Sequence, residues 1–196
     1  MQNQLSSRER VRLALEHRET DRIPIAMVCA GINPPARAAL EGYLRKERGI
    51  DVDSFLFPLI DIVEVGPKLV APEGTGTMWG AGEDFWGVRR KAVSYGAGSY
   101  DEIVYHPLGA AETVADLDKH RWPSTDWFDF TVLPRRIPSI QAVKERCIMI
   151  GNGNIFETSW YMRGFERMFT DFLLNPELAC EIMRRVTDFY IDYMRK

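Results

Sequence analysis

The chain has 196 residues, 45% of them hydrophobic, and a formal net charge of −3. That balance, with no long Lys/Arg block, argues against a nucleic-acid partner. No run nears the ~18–20 apolar residues of a membrane span, and the polar start Met1-Gln2-Asn3-Gln4 lacks the apolar stretch of a signal peptide, so a cytoplasmic protein with no membrane partner is expected.

In chain order, Ser6-x-x-Glu9 matches a capping box and opens a helix through Arg10 to His17, which Asp21 and Pro24 end. Ile23 to Ala30 is a short apolar run that suits a buried strand, with Pro24 tolerable only near its start. Asn33-Pro34-Pro35 starts a second helix, and Gly49 closes it. Ser54 to Val70 is mostly apolar and admits two readings: a strand from Ser54 that ends at Asp61, or a strand that Asp61 begins, through Ile62-Val63-Glu64-Val65. Residues 74–106, rich in Gly and aromatics, predict a β excursion that includes a strand at Tyr100–Tyr105. Glu112 to Leu117 predicts a short helix, and Trp122 to Phe130 an aromatic connector.

The last third begins with a helix interrupted by Pro134 and Pro138, then the four-residue strand Cys147–Ile150. Gly151-Asn152-Gly153-Asn154 is a turn, Ile155 to Arg163 a helix, Gly164 a break, and Phe165 to Leu174 a further helix. Strand, Gly-rich turn and helix form the βα unit of parallel-sheet proteins. A terminal helix follows, with Asn175 as cap, Pro176 at its first position, and Leu178, Ile182, Met183, Val186, Phe189, Tyr190, Tyr193 and Met194 at three- and four-residue steps. So rich an apolar face needs a core that little of the chain is left to supply. The expectation is the front part of a larger α/β protein, with Phe189, Tyr190, Tyr193 and Met194 uncovered. Homo-oligomerisation or pairing with a complementary half would then cover them.

Cys29, Cys147 and Cys180 stand far apart with no C-x-x-C, so reduced thiols are expected rather than a disulfide framework. His17, His106 and His120 share no metal-ligand spacing, and no metal site is expected from this chain.

Ser7-Arg8-Glu9-Arg10-Val11 followed by Asp21-Arg22-Ile23-Pro24-Ile25 resembles the opening of the uroporphyrinogen decarboxylase superfamily. Asp84-Phe85-Trp86-Gly87-Val88, Gly98-Ser99-Tyr100, Pro107-Leu108, Asp116-Leu117, Trp122-Pro123, Arg163-Gly164, Asp171-Phe172-Leu173 and Asn175-Pro176-Glu177 follow in the order that its non-decarboxylase branch shows. The resemblance implies one domain over 1–196, the first part of a TIM-type (β/α)8 barrel. About 250 residues is typical of that architecture, so an incomplete barrel is expected. It implies a small-molecule substrate, a tetrapyrrole or a corrinoid-linked compound, and either lyase chemistry, as in porphyrin biosynthesis, or methyl transfer. True decarboxylases use no cofactor. The methyltransferases use zinc and a corrinoid, with zinc ligands in a C-terminal half that these residues do not include, so no cofactor is expected within this chain. Met27 to Arg37 stands where the decarboxylases carry R-Q-A-G-R. Gly31-Ile32-Asn33 cannot reproduce forked arginine donation to carboxylates, which argues against authentic uroporphyrinogen decarboxylation. A zinc-dependent corrinoid methyltransferase relative and a non-catalytic truncated half-barrel remain as alternatives.

Two catalytic candidates follow from the resemblance. Asp61 matches the aspartate that faces the substrate, if it ends its strand; if it begins one, it lies on the barrel's stability face. Tyr161 matches a tyrosine near the substrate, able to donate a hydrogen bond to a carboxylate; otherwise it is a half-buried helix aromatic. The residues add a substrate-binding set. Gly151, Asn152, Gly153 and Asn154 offer backbone N–H groups between strand and helix, or form an ordinary βα turn. Glu157, one helical turn before Tyr161, faces the same pocket or is a solvated glutamate. Arg89-Arg90-Lys91 could attract an anionic ligand, and by default reads as a solvated strand edge. Trp79, Trp86 and Trp160 read as core, and Cys29 as packing.

Overall fold

The computed structural model describes residues 4–27, 31–77, 81–96, 98–151 and 154–196. The elements in chain order are α1 (Ser7–Leu15), α2 (Pro34–Arg48), α3 (Val52–Leu56), β1 (Ile62–Val65), β2 (Lys68–Leu69), β3 (Gly82–Glu83), β4 (Arg89–Ser94) and β5 (Ser99–Tyr105). After two 3-10 turns come β6 (Phe128–Asp129), α4 (Leu133–Val143), β7 (Cys147–Ile150), α5 (Ile155–Arg163), α6 (Phe165–Leu174) and α7 (Pro176–Arg195). Helix and strand are thus mixed, in small sheets, with no closed barrel among the described residues. The chain divides into two compact units, residues 1–67 with 131–151, and residues 68–130 with 152–196.

The first unit holds the parallel pairing. Ile62 to Val65 of β1 runs in register with Cys147 to Ile150 of β7, and Ala26 bridges Ile62 in parallel on the other side. Helices α2 and α3 lie between the Ala26 segment and β1, and α4 between β1 and β7, which is the crossover grammar of parallel sheets. Of the predicted strand Ile23–Ala30, Ala26 forms this bridge and residues 28–30 lie outside the described set. Ser6 caps α1 through a complete capping box with Glu9, and Gly49 ends α2 at φ +67°, a conformation that a Cβ disfavours. Of the two readings of Ser54–Val70, the strand begun by Asp61 is found. The stretch before it is α3, capped by the Asp51 carboxylate on the Ser54 amide. Pro138 sits inside α4, which continues as one helix from Leu133 to Val143.

The second unit holds the β excursion, an antiparallel sheet in the order β3-β4-β5, and the β2–β6 pair. Its core packs Phe85, Trp86, Val88, Leu108, Leu117 and Phe128 against Leu178, Ile182, Val186, Phe189, Tyr190 and Tyr193 of α7. The expectation that α7 lacks a core is therefore corrected. Phe189, Tyr190 and Tyr193 are at most 9% exposed, and of the four named side chains only Met194, at 51%, stays uncovered. The excursion supplies what the helix needs: Trp86 meets Phe189 edge-on at 4.9 Å, and Phe128 meets Tyr193 at 5.3 Å. Asn175 precedes α7 but makes no side-chain cap; its Nδ2 donates instead to the Glu112 carbonyl at 3.1 Å.

Arg163 and Asp171, both quoted in the resemblance, form a buried ion pair at 2.6 Å. Arg163 Nη1 also donates to the Leu108 and Ala111 carbonyls, each at 2.7 Å, so the guanidinium knits α5 to the loop after β5. Gly164 between α5 and α6 takes φ +96° beside the His106 ring, a backbone that only glycine adopts freely.

Candidate functional site

Among the described residues the acidic side chain with the most hydrogen bonds is Asp61, at the amino end of β1. It is fully buried. Its Oδ1 accepts from Ser7 Oγ at 2.8 Å, Arg10 Nη1 at 2.6 Å and Arg22 Nη2 at 2.9 Å. Its Oδ2 accepts from Arg22 Nη1 at 2.6 Å and the Ile25 amide at 3.0 Å. Five donors leave a carboxylate with little capacity for a sixth. Burial pushes the Asp61 pKa up, but the Arg22 fork, the Ile25 amide, Ser7 and Arg10 outweigh it and hold the group at about 2. The arrangement ties α1, the Asp21–Arg22 segment and the start of β1 together, which is a structural role at the strand's amino end.

Glu157 and Tyr161 present a different case. They lie one turn apart on α5, both half-buried, and the Tyr161 hydroxyl donates to Glu157 Oε1 at 2.7 Å. Asn154 Nδ2 donates to Glu157 Oε2 at 2.6 Å, so Asn154, just before the helix, serves the carboxylate rather than capping an α5 amide. The Arg90 guanidinium lies over the Tyr161 ring, 5.0 Å from its centroid. The Tyr161 carbonyl meets His106 Nδ1 at 2.7 Å. Burial, then the hydrogen bond and charge of Glu157, raise the Tyr161 pKa to about 12, against a smaller opposing pull from Arg90. At neutral pH the phenol therefore keeps its proton: it is a hydrogen-bond donor, not a base.

Of the remaining predicted residues, Asn152 and Gly153 lie outside the described set. Gly151 follows β7, and a Cβ there would fall 1.9 Å from Glu64 Oε1, so β1 already fills the space beside it. The structure brings Asn154, Glu157 and Tyr161 together; Asp61 belongs to the other unit. Sequence reasoning missed Arg90. Its neighbours Arg89 and Lys91 are exposed as a strand edge predicts, but the Arg90 side chain is only 8% exposed and pairs with buried Asp84 at 2.5 Å. Strict alternation would not have found it, because the register shifts between Arg89 and Arg90 and Ala92 is exposed along with Lys91. Trp86 is core, as expected, and Trp160 is half-buried against Tyr161, with ring centroids 4.3 Å apart. Trp79 and Cys29 lie outside the described residues.

Among the described residues no three His, Cys, Asp or Glu side chains converge as metal ligands, and no helix is long and apolar enough to cross a membrane. No protein-family model, curated protein or solved structure matches the chain.

Proposed function

We propose that the parallel units of this chain belong to a (β/α)8 barrel of the uroporphyrinogen decarboxylase type, acting in its complete form on a tetrapyrrole or corrinoid-linked small molecule. The observation that carries this reading is the parallel succession of Ala26, β1 and β7 with helices between, followed directly by a helix bearing Tyr161 and Glu157. In such a barrel, ligands meet the residues that follow each strand's carboxyl end. Tyr161 is the group that would touch the substrate. Rotating its O–H away from Glu157 offers a protonated donor to a substrate carboxylate, while Asn154 keeps Glu157 partly satisfied. Zinc and a corrinoid enter this reading only through residues beyond those of this chain, as does any complementary subunit or second copy that completes the barrel.

The test is equilibrium binding of uroporphyrin and, separately, of a cobalamin to the full chain, followed by their visible absorbance. Binding of either, weakened about 10–150-fold by Tyr161→Phe as loss of one hydrogen bond to a charged group implies, supports the proposal. Preference between the two probes separates decarboxylase-like from methyltransferase-like use. No saturable binding of either overturns it. Steady-state decarboxylation of uroporphyrinogen is expected to stay at background, because Gly31-Ile32-Asn33 replaces the arginine-bearing turn.

A further inference from the structure

A cavity of about 380 Å³ in the first unit is lined by Arg8, Gln141, Arg146, Cys147 and Ile148. Arg146 is 1% exposed, and its guanidinium stacks over Phe57 at 4.4 Å and donates to the Phe57 carbonyl at 2.7 Å. Its buried Nε has no hydrogen-bond partner. Its main chain is fixed by Gln141, which accepts from the Arg146 amide at 2.7 Å and donates to its carbonyl at 2.9 Å. Exposed Glu145, next in the chain, gives it only a main-chain oxygen at 3.4 Å. Among the described residues neither Arg146 nor Arg8 has a carboxylate within ion-pair distance.

A buried guanidinium without a counter-charge is costly, and proteins normally pair such groups. The local carboxylate cannot do so, because Asp61 is saturated by Arg10 and Arg22. The charges that act most on nearby Lys144 are three guanidiniums, Arg146, Arg22 and Arg10, against the single carboxylate Asp61. Burial and these cations together lower the Lys144 pKa, the sign expected of a positive field. The cavity wall therefore carries two arginine charges, unanswered by any acid of its own lining.

The geometry points to an oxyanion site here, for a dianionic phosphate group, either free phosphate or a phosphate monoester. The match is one of charge: Arg146 feels Asp61 only at a distance and Arg8 has no ion-pair partner among the described residues, so the two guanidiniums can neutralise one dianion. Exposed Arg8 makes the direct contact, and Arg146 supplies charge from behind the wall. A volume of about 380 Å³ exceeds what inorganic phosphate needs, so an ester's organic part has room. The reading is independent of the Tyr161 site, which lies in the other unit.

Thermal unfolding of the full chain in inorganic phosphate, in glycerol 3-phosphate and in sodium chloride at matched ionic strength tests it. A ligand at ten times its Kd should raise Tm by about 3–5 °C for a chain of this size. The Arg8→Gln chain, altered at an exposed position, should lose that rise. Arg146→Met removes a buried, stacked side chain and so tests folding as well as binding; a second measurement therefore uses the intact chain: mass-resolved alkylation, in which phosphate slows labelling of half-buried Cys147 and leaves exposed Cys180 unchanged. A shift with both phosphates marks the anion itself as the ligand, and one with the ester alone marks an ester site; either supports the inference. An equal shift in chloride, a shift that survives Arg8→Gln, or an unprotected Cys147 overturns it.

Discussion

Asp61 and Glu157 are two carboxylates with opposite fates. Asp61 is sealed off and accepts five hydrogen bonds, three of them from the arginines Arg10 and Arg22, whereas half-buried Glu157 accepts from a phenol and an amide. A saturated carboxylate holds structure because every lone pair is committed before a ligand arrives. One held by neutral groups can exchange partners at small cost. Saturation, more than burial, separates an acid that builds the fold from one available for chemistry.

The largest effect should come from breaking Asp61. Asp61→Ala leaves Arg22 without its anion and Arg10 with Asp21 alone, and loss of one partner from a buried pair costs about 3–5 kcal/mol. Urea unfolding should show it, and a loss under 1 kcal/mol would place Asp61 in the same class as Glu157. Acid titration sharpens the point. The Asp61 pKa is depressed in the folded state, so its contribution is present above the unfolded value near 4 and is lost as pH falls towards about 2. The expected loss of stability over that window is about 2 kcal/mol, and Asp61→Asn should flatten that part of the pH–stability curve.

A smaller effect is expected at the other carboxylate. Tyr161→Phe removes one hydrogen bond from a half-buried pair and should cost about 1 kcal/mol, read in the same unfolding assay. Glu157→Gln should cost less still, because the amide keeps an acceptor for the phenol. Its signature is spectroscopic: once the carboxylate charge is gone, Tyr161 should titrate below about 12, a shift that NMR of labelled tyrosine would follow. An unchanged titration would mean that burial alone sets the value.

The local grammar was readable where one rule governed. The Ser6–Glu9 box, Gly49, the Cys147–Ile150 strand and the Gly164 break all emerged where expected, because caps, positive φ and short apolar runs act within a few residues. Ser54–Val70 left two strand readings open and the helix α3 unforeseen, because a short apolar helix and a buried strand share one composition and only the Asp51 cap marks the helix. What periodicity could not reveal was the partner of each apolar face. The α7 stripe is visible in sequence, yet its cover, Phe85-Trp86 and Phe128, lies far earlier in the chain. The candidate site was half legible. Helical spacing joins Glu157 to Tyr161, but the Arg90 contact depends on a sheet-to-helix packing that no local pattern encodes.

The division into two units also has an optical consequence. Among the described residues Trp86, Trp122, Trp127 and Trp160 all fall in the second unit, and the first, which contains the Asp61 cage, has no tryptophan. Indole emission thus reports on one half of the molecule and is silent about the other. Far-ultraviolet dichroism, to which α1 to α4 contribute, sees both. If the units melt separately, the two signals will trace different curves, and a substitution at Asp61 will move the dichroism while the emission stays still.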